Sequence, residues 1–197
     1  MSTRPELVRA NAVFVTPRLL VGGDLDHDDE TAEAQLAELV EAGLTHLVDA
    51  RVEADDREFV AQRAPQVDYL WHGMDDAGQR VPASWFEAAV EWVLEALADP
   101  DAVVLTHCHM GINRGPSLGY AVLLAQGLDP VAAIAAIREV RPIAAVAYAE
   151  DALRWHHHRS ATPAAERRHD RARLRAWRRD HPLDVVRIIA RQRSLGY

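Results

Sequence analysis

The only cysteine of the chain, Cys108, stands between two histidines and six residues before Arg114. The largely apolar residues 103–106 predict a buried strand that ends here, and the sequence from Gly115 onward predicts a helix. A loop between a strand and a helix can direct several backbone N–H groups and the positive end of the helix dipole at one oxyanion. The same field favours the thiolate form of Cys108. The spacing therefore predicts an anion site that contains a nucleophilic sulfur.

Charge is divided unevenly along the 197 residues, whose formal net charge is −8. Residues 1–158 contain 11 arginines and 26 acidic residues, whereas residues 159–197 contain 11 arginines and 4 acidic residues. We predict no nucleic-acid partner, because an acidic body is a poor surface for a phosphate backbone. The chain contains no lysine, which excludes the nucleoside-triphosphate loops that require one.

The sequence contains no apolar run close to the roughly 20 residues of a membrane span, and its N-terminus lacks the apolar stretch of a signal peptide. We therefore expect a protein without a membrane span, located in the cytoplasm. A single cysteine excludes an intramolecular disulfide and suits a reducing compartment, where the thiol stays usable.

Short apolar strands alternate with amphipathic helices, which predicts an α/β fold with a central, mainly parallel sheet of four to five strands flanked by helices. Asp129 is the predicted N-cap of one helix, and residues 84–87 match a capping box at the start of another. Arg141 precedes a proline and should end a helix, because that position disfavours helical angles. The predicted helices cover residues 31–42, 83–98, 115–127, 130–140 and 148–158.

The arginine-rich residues 161–197 are predicted to form two appended helices that meet near Pro182. We expect these helices to dock on the main domain or on a second copy of the chain, which would make a homo-oligomer. A basic amphipathic helix could instead contact an acidic partner or a membrane surface, and a solvated helix face is the simplest alternative.

The pair His107-Cys108, followed by five residues and Arg114, resembles the signature of the cysteine-dependent protein tyrosine phosphatases. The remaining sequence is similar to their dual-specificity branch: residues 15–23 resemble its first hairpin, and residues 43–49 a helix stop followed by a buried strand. The resemblance implies a phosphatase-type fold. It divides the chain into an N-terminal arm of residues 1–12, a catalytic domain of residues 13–160 and a C-terminal extension of residues 161–197.

The resemblance also implies phosphomonoester hydrolysis through a phosphocysteine intermediate, without a metal or a cofactor. Cys108 would attack phosphorus, Arg114 would hold the phosphoryl oxygens, and His107 would support the loop and the thiolate. The residues expected to surround the phosphate are His109, Met110, Gly111, Ile112, Asn113 and Gly115.

The general acid of the family is an aspartate on a separate loop that follows a strand and precedes a helix. Residues 69–72 resemble that strand, and two aspartates follow them. Counting forward from the strand tyrosine and backward from Phe86 of the next helix selects Asp76, with Asp75 as the alternative. An ordinary solvated turn also explains this stretch, since aspartate and glycine are common turn residues.

The chain departs from the family at Gly115, because the residue after the arginine is usually a serine or threonine whose hydroxyl helps the cysteine to leave. We expect the phosphoenzyme to be hydrolysed more slowly as a result. The expected substrate is a phosphorylated protein, dephosphorylated at tyrosine alone or at serine, threonine and tyrosine. The variable loop positions hold no lysine or arginine, which weighs against highly phosphorylated inositols.

Two other functions stay open from the residues alone. One is a phosphate-binding module with little turnover, motivated by Gly115, and the other is a rhodanese-like sulfurtransferase, whose cysteine also lies in an anion cradle. We predict no metal site: the histidine clusters 107–109 and 156–158 lack the paired spacing of zinc ligands. The acidic residues 23–30 lack the glutamate that completes a calcium loop.

Overall fold

Strands and helices alternate along the chain, as the sequence predicts. The computed structural model describes residues 6–194, so residues 1–5 of the expected arm and 195–197 of the expected extension lie outside the described residues. In chain order the elements are β1 (Ala12–Thr16), β2 (Leu19–Gly22), α1 (Asp29–Glu41), β3 (His46–Arg51), α2 (Arg57–Arg63), β4 (Asp68–Met74), α3 (Ala83–Ala96), β5 (Val104–His107), α4 (Arg114–Ala125), α5 (Pro130–Val140), α6 (Ala149–Arg159), α7 (Ala164–Asp180) and α8 (Val185–Ser194).

The five strands form one sheet in the order β1-β2-β5-β3-β4. β1 and β2 make an antiparallel hairpin, and the other neighbouring pairs are parallel, which confirms the predicted fold class. β5 occupies the centre of the sheet. Its last residue, His107, is in register with Gly22 of β2 and with Asp49 of β3, so three strands end together at one edge.

Side chains on the central strands alternate between two cores, because successive residues of a strand point to opposite faces of the sheet. Leu20, Leu47 and Leu105 pack on one face with residues of α1 and α2. Val21, Val48 and Val104 pack on the other face with residues of α3, α4, α5 and α6. The sheet is therefore covered on both faces, as a parallel sheet requires.

Two predicted helix ends depend on aspartate caps. The Asp129 carboxylate accepts from the backbone N–H groups of Val131 at 3.0 Å and Ala132 at 3.1 Å, which confirms it as the N-cap of α5. Asp28 caps α1 by accepting from the N–H of Thr31 at 2.9 Å. α1 consequently begins at Asp29, two residues before the predicted start, and part of the acidic run 23–30 serves as a cap.

Two features of the helices differ from the predictions. The prediction of a capping box at residues 84–87 is wrong. α3 begins after Pro82 without a side-chain cap, and the carboxylate of Glu87 instead accepts from Trp155 and Arg159 of α6. α2 was not predicted, because this seven-residue helix buries only Val60 and so has no apolar periodicity to detect.

α7 docks on α5 and α6, one of the arrangements that the sequence leaves open. Its Leu174 is fully buried in the main core, and the carboxylate of Asp170 lies 3.0 Å from Nε2 of His157. Arg173 forms a forked pair with Asp129. α8 follows and buries none of its residues completely. Within residues 6–194, no helix combines the length and the apolar composition that crossing a bilayer demands.

Tyr120 of α4 gives a stability prediction. Its side chain is fully buried, and its hydroxyl has no hydrogen-bond partner among the described residues. Burial of an unpaired hydroxyl opposes folding by about 1–3 kcal/mol. We expect Tyr120→Phe to leave the free energy of unfolding unchanged or to raise it by about 1 kcal/mol in urea titrations. Tyr120→Ala, the control, should lower it by about 3–5 kcal/mol. A clear loss of stability in the phenylalanine variant would contradict the prediction.

Candidate active site

The predicted anion loop, residues 108–113, joins the carboxyl end of β5 to the start of α4. It lies at the middle of the sheet edge because β5 is the central strand. The loop is held against β2, since the N–H of Cys108 donates to the carbonyl of Gly22 at 3.3 Å. α4 begins at Arg114, so its unpaired N-terminal N–H groups and its positive dipole end lie next to the loop.

The carbonyl groups of residues 109–113 each accept a hydrogen bond from elsewhere in the domain. The carbonyls of Met110 and Gly111 accept from the guanidinium of Arg141. The carbonyls of His109, Ile112 and Asn113 accept from the backbone N–H groups of Asp24, Ala145 and Ser117, respectively. In a trans peptide the N–H points away from the carbonyl. Among the described residues, no backbone hydrogen bond takes up the N–H groups of residues 109–113. A row of free N–H groups facing one side is an anion cradle.

Arg141 clamps this loop from outside. The buried guanidinium donates from Nε to the Gly111 carbonyl at 2.6 Å and from Nη2 to the Met110 carbonyl at 3.0 Å. Gly111 has a φ of 61°. A side chain here would also overlap the Arg141 guanidinium and the backbone of Gly22. Only glycine allows the loop to turn this close to its clamp.

A pocket of about 340 Å³ opens at the loop. The structure brings together there most of the residues that the sequence selected: Asp76, Cys108, His109, Met110, Ile112, Asn113 and Arg114. Cys108 is 3 % exposed at the pocket floor. Asp75, His107, Gly111 and Gly115 are not among the lining residues, so of the two aspartates only Asp76 lines the pocket together with Cys108.

The guanidinium of Arg114 is oriented by Glu53, a residue after β3 that the sequence did not suggest. Its Nη1 and Nη2 donate to the two carboxylate oxygens of Glu53 at 2.6 Å and 2.5 Å, and Nη1 also donates to the Met74 carbonyl at 3.0 Å. These bonds lower the pKa of Glu53 to about 2. The Nε of Arg114 is buried without a hydrogen-bond partner among the described residues. An oxyanion that bonds to this Nε would therefore lie next to the carboxylate of Asp76, whose Oδ2 is 3.7 Å away.

Asp76 is held over the pocket by two donors. Its Oδ1 accepts from the Tyr148 hydroxyl at 2.9 Å and from Nδ2 of Asn113 at 2.5 Å. Its Oδ2 lies 3.7 Å from Nε of Arg114. Burial and the bond to Asp76 raise the pKa of Tyr148 to about 12, so this hydroxyl keeps its proton and donates it to the carboxylate at neutral pH. A proton on Asp76 would reside on Oδ2, since Oδ1 already accepts twice.

His107 differs from its expected role. The ring is 2 % exposed, and neither nitrogen has a hydrogen-bond partner among the described residues. Burial lowers the pKa of His107, although the carboxylate of Asp49, 3.8 Å away, opposes the shift. The ring is therefore neutral near pH 7 and adds no positive charge to the cysteine. Its contribution is to fill the space behind the loop.

A buried ionic cluster supports the loop from below. Arg51 at the end of β3 bonds to the carboxylates of Asp49, Asp56 and Asp24. The Oδ2 of Asp24 in turn accepts a hydrogen bond from Nδ1–H of the His109 ring at 2.7 Å. His109 is consequently tied to the scaffold and is not free to follow a ligand. Within residues 6–194, no group of three His, Cys, Asp or Glu side chains is arranged to hold a metal ion.

Close packing explains why position 115 is a glycine in this fold. A Cβ at this position would lie 2.7 Å from the carbonyl carbon and 2.8 Å from the Cα of His107, which is closer than backbone atoms allow. The nearby hydroxyl of Ser117 is buried, accepts from the N–H of Tyr148 at 3.3 Å and does not line the pocket. No serine or threonine hydroxyl is present among the residues that line the pocket.

Comparison with solved structures identifies the fold of the chain. No protein-family profile matches the chain. Among solved structures, PTPMT1 in complex with PI(5)P superposes with a TM-score of 0.63 and 16 % identity, covering 77 % of this chain and 97 % of that one. Human DUSP28 superposes with a TM-score of 0.62 and 19 % identity, covering 76 % and 98 %. The chain has the fold of the dual-specificity phosphatases. That fold was the one expected from the resemblance, and about a fifth of this chain extends beyond it.

Three residues that shape the site in this phosphatase fold were missed from the sequence. The sequence marks Arg141 only as a helix end and Tyr148 only as a helix start, and Glu53 follows a strand in an otherwise ordinary acidic stretch. Each lies far along the chain from its partner in the site, between 30 and 72 residues away. Local periodicity carries no signal for such pairs.

The clamp predicts how oxyanion binding depends on Arg141. We expect Arg141→Gln to weaken the binding of tungstate by about tenfold, because two charge-assisted bonds to the loop carbonyls are lost. Isothermal titration calorimetry at fixed pH measures the dissociation constant. Arg138→Gln is the matched control, since Arg138 contacts Trp177 and the His181 carbonyl on α7 and after it. If circular dichroism shows that both variants are folded and their dissociation constants for tungstate are equal, the role of Arg141 as a clamp is ruled out.

Proposed function

We propose that this protein hydrolyses phosphomonoesters through a phosphocysteine intermediate. One observation carries the proposal: Cys108, Arg114 and Asp76 line one pocket, at a loop whose carbonyls from His109 to Asn113 are all taken up by hydrogen bonds. Nucleophile, anion clamp and proton donor are the three parts that a metal-free phosphoryl transfer needs.

In the first step the Cys108 thiolate attacks phosphorus in line with the leaving oxygen. An S–P bond forms and the P–O bond breaks, while the loop N–H groups and the Arg114 guanidinium hold the three remaining oxygens. The proton on Oδ2 of Asp76 passes to the leaving oxygen. Tyr148 and Asn113 fix the other carboxyl oxygen and so orient this proton toward the phosphoryl group.

In the second step water attacks the phosphocysteine. The ionised Asp76 accepts a proton from that water, the S–P bond breaks, and Cys108 returns as a thiolate with release of phosphate. Because Gly115 and Ser117 supply no hydroxyl to the pocket, the departing thiolate lacks the donor that the family usually provides. This step is consequently the slower one in our proposal.

We propose a phosphorylated protein as the substrate and the cytoplasm as the compartment. The loop positions between Cys108 and Arg114 carry no arginine or lysine for additional phosphates. PTPMT1 has been solved with PI(5)P, so a lipid phosphomonoester is a natural comparison substrate in assays. A reducing compartment would keep Cys108 as a thiol.

The decisive test is hydrolysis of p-nitrophenyl phosphate followed across pH. We expect Cys108→Ser to abolish turnover and Asp76→Asn to lower kcat by about 10²–10⁴-fold. The asparagine variant should also lose the fall in kcat/KM at alkaline pH, because that fall reports ionisation of the general acid of the first step. Asp75→Asn is the matched control and should retain activity. Turnover that survives Cys108→Ser would refute the proposal.

Tyr148 should act through the orientation of Asp76. We expect Tyr148→Phe to lower kcat/KM by about tenfold for phenyl phosphate, whose poor leaving group needs the proton in the first step, and to have less effect with p-nitrophenyl phosphate. The ratio of the two rates is the measurement. An equal loss on both substrates would assign Tyr148 a purely structural role.

A phosphate-binding module with little turnover is the second candidate, favoured by the absence of a hydroxyl beside Cys108. One structural neighbour, a human tyrosine phosphatase-like serine/threonine/tyrosine-interacting protein, superposes with a TM-score of 0.54 and 18 % identity. Tight vanadate binding without turnover would identify the module. Transfer of sulfur from thiosulfate to cyanide would identify the rhodanese-like alternative, which has no use for Asp76.

A further inference from the structure

α8 borders the candidate active site. Val185, Ile189 and Arg193 line the same pocket as Cys108 and Arg114. The three α8 residues are spaced four apart, so they form a single stripe on one face of the helix. The stripe is apolar over its first two turns and ends in a cation.

The pocket is apolar between the phosphate cradle and this stripe. Met110 and Ile112 of the loop, together with Ala145 and Ala147 after α5, line it on the side of the domain. Val185 and Ile189 of α8 line it from the side of the extension. A leaving group attached to a phosphoryl group in the cradle would therefore lie against aliphatic side chains, where apolar area is removed from water.

Arg193 is a cation without an internal partner. It makes no hydrogen bond or ion pair with another of the described residues, whereas Arg173 and Arg175 of α7 are paired with Asp129 and Glu150. The other guanidinium of the pocket, Arg114, is engaged by Glu53. Arg193 is thus the pocket cation that is free to meet a second anionic group.

The contact with the pocket is the distinguishing feature of α8. None of its residues is fully buried, and Val186, next to the stripe, is 80 % exposed. The helix adds no residue to either hydrophobic core among the described residues. Its stripe at the pocket is therefore explained better by a ligand than by stabilisation of the fold.

We propose that α8 is one wall of the substrate site, and that Val185, Ile189 and Arg193 select phosphomonoesters with an apolar leaving group that carries a second negative charge. This inference rests on the proposed hydrolase function and specifies its substrate class. The second charge is a carboxylate or a further phosphate, since either one pairs with a guanidinium.

Charge selection is tested with matched substrates on the full chain. One pair is a phosphotyrosine peptide with glutamate on both sides of the phosphotyrosine and the same peptide with glutamine. The other pair is 1,4-phenylene bisphosphate and phenyl phosphate. We expect the wild type to prefer the charged member of at least one pair in kcat/KM, and Arg193→Gln to reduce that preference about fivefold. The pair that responds identifies the second charge as carboxylate or phosphate.

Matched variants on the same helix separate recognition from folding. Arg191→Gln changes an arginine that does not line this pocket, and it should keep the wild-type preference. Ile189→Ala should raise KM for phenyl phosphate about threefold relative to glycerol phosphate, and Val186→Ala should not. Circular dichroism confirms that all four variants are folded.

The outcomes distinguish the two proposals. A wild type without Cys108-dependent hydrolysis of p-nitrophenyl phosphate would overturn the proposed function together with this inference. A wild type that hydrolyses p-nitrophenyl phosphate but shows no charge preference, or a preference that Arg193→Gln and Arg191→Gln change equally, would overturn this inference alone.

Discussion

Outward hydrogen bonding of the loop carbonyls is the constraint on which the candidate site depends. Each peptide plane between His109 and Arg114 has its oxygen fixed by the scaffold, and planarity then directs the N–H to the other side. The donors come from separate parts of the chain: the segment after β2, the segment after α5 and the first turn of α4. The cradle therefore exists only when the whole domain is folded, and it needs no reorganisation when an anion arrives.

The positive field at the cradle comes from Arg114 and from the N-terminus of α4. Arg114 is oriented by Glu53 yet keeps an unpartnered Nε, and the helix dipole of α4 adds to its field. Behind the loop, His107 is buried, and burial favours its neutral form. Arg51 compensates several carboxylates at the sheet edge. This cluster contains three carboxylates and one guanidinium, so it adds no positive charge to the pocket.

The two halves of the proposed reaction are supported unequally by the fold. Asp76 is held by Tyr148 and by Asn113 of the loop itself, so the proton donor moves with the phosphate cradle as one unit. Release of the cysteine has no comparable device, because close packing of Gly115 against His107 leaves no room for a side chain. In our proposal the chain therefore forms the phosphocysteine more readily than it discharges it. α8 adds a wall beyond the conserved fold, where a substrate would extend past its phosphate.

Local patterns in the sequence were enough to predict the architecture and the loop around Cys108. Alternating apolar strands and amphipathic helices predicted the parallel sheet, and the spacing from His107 to Arg114 predicted a strand, a loop and a helix, because these signals are local in the chain. α2 escaped detection for the same reason, since it buries a single residue. The tertiary structure adds that Asp76 and not Asp75 lines the pocket with Cys108, that Glu53 and Arg141 hold the arginine and the loop, and that α8 lies at the pocket. Those pairings join residues tens of positions apart, and they are set by how helices pack on the sheet, which leaves no periodic trace in the sequence.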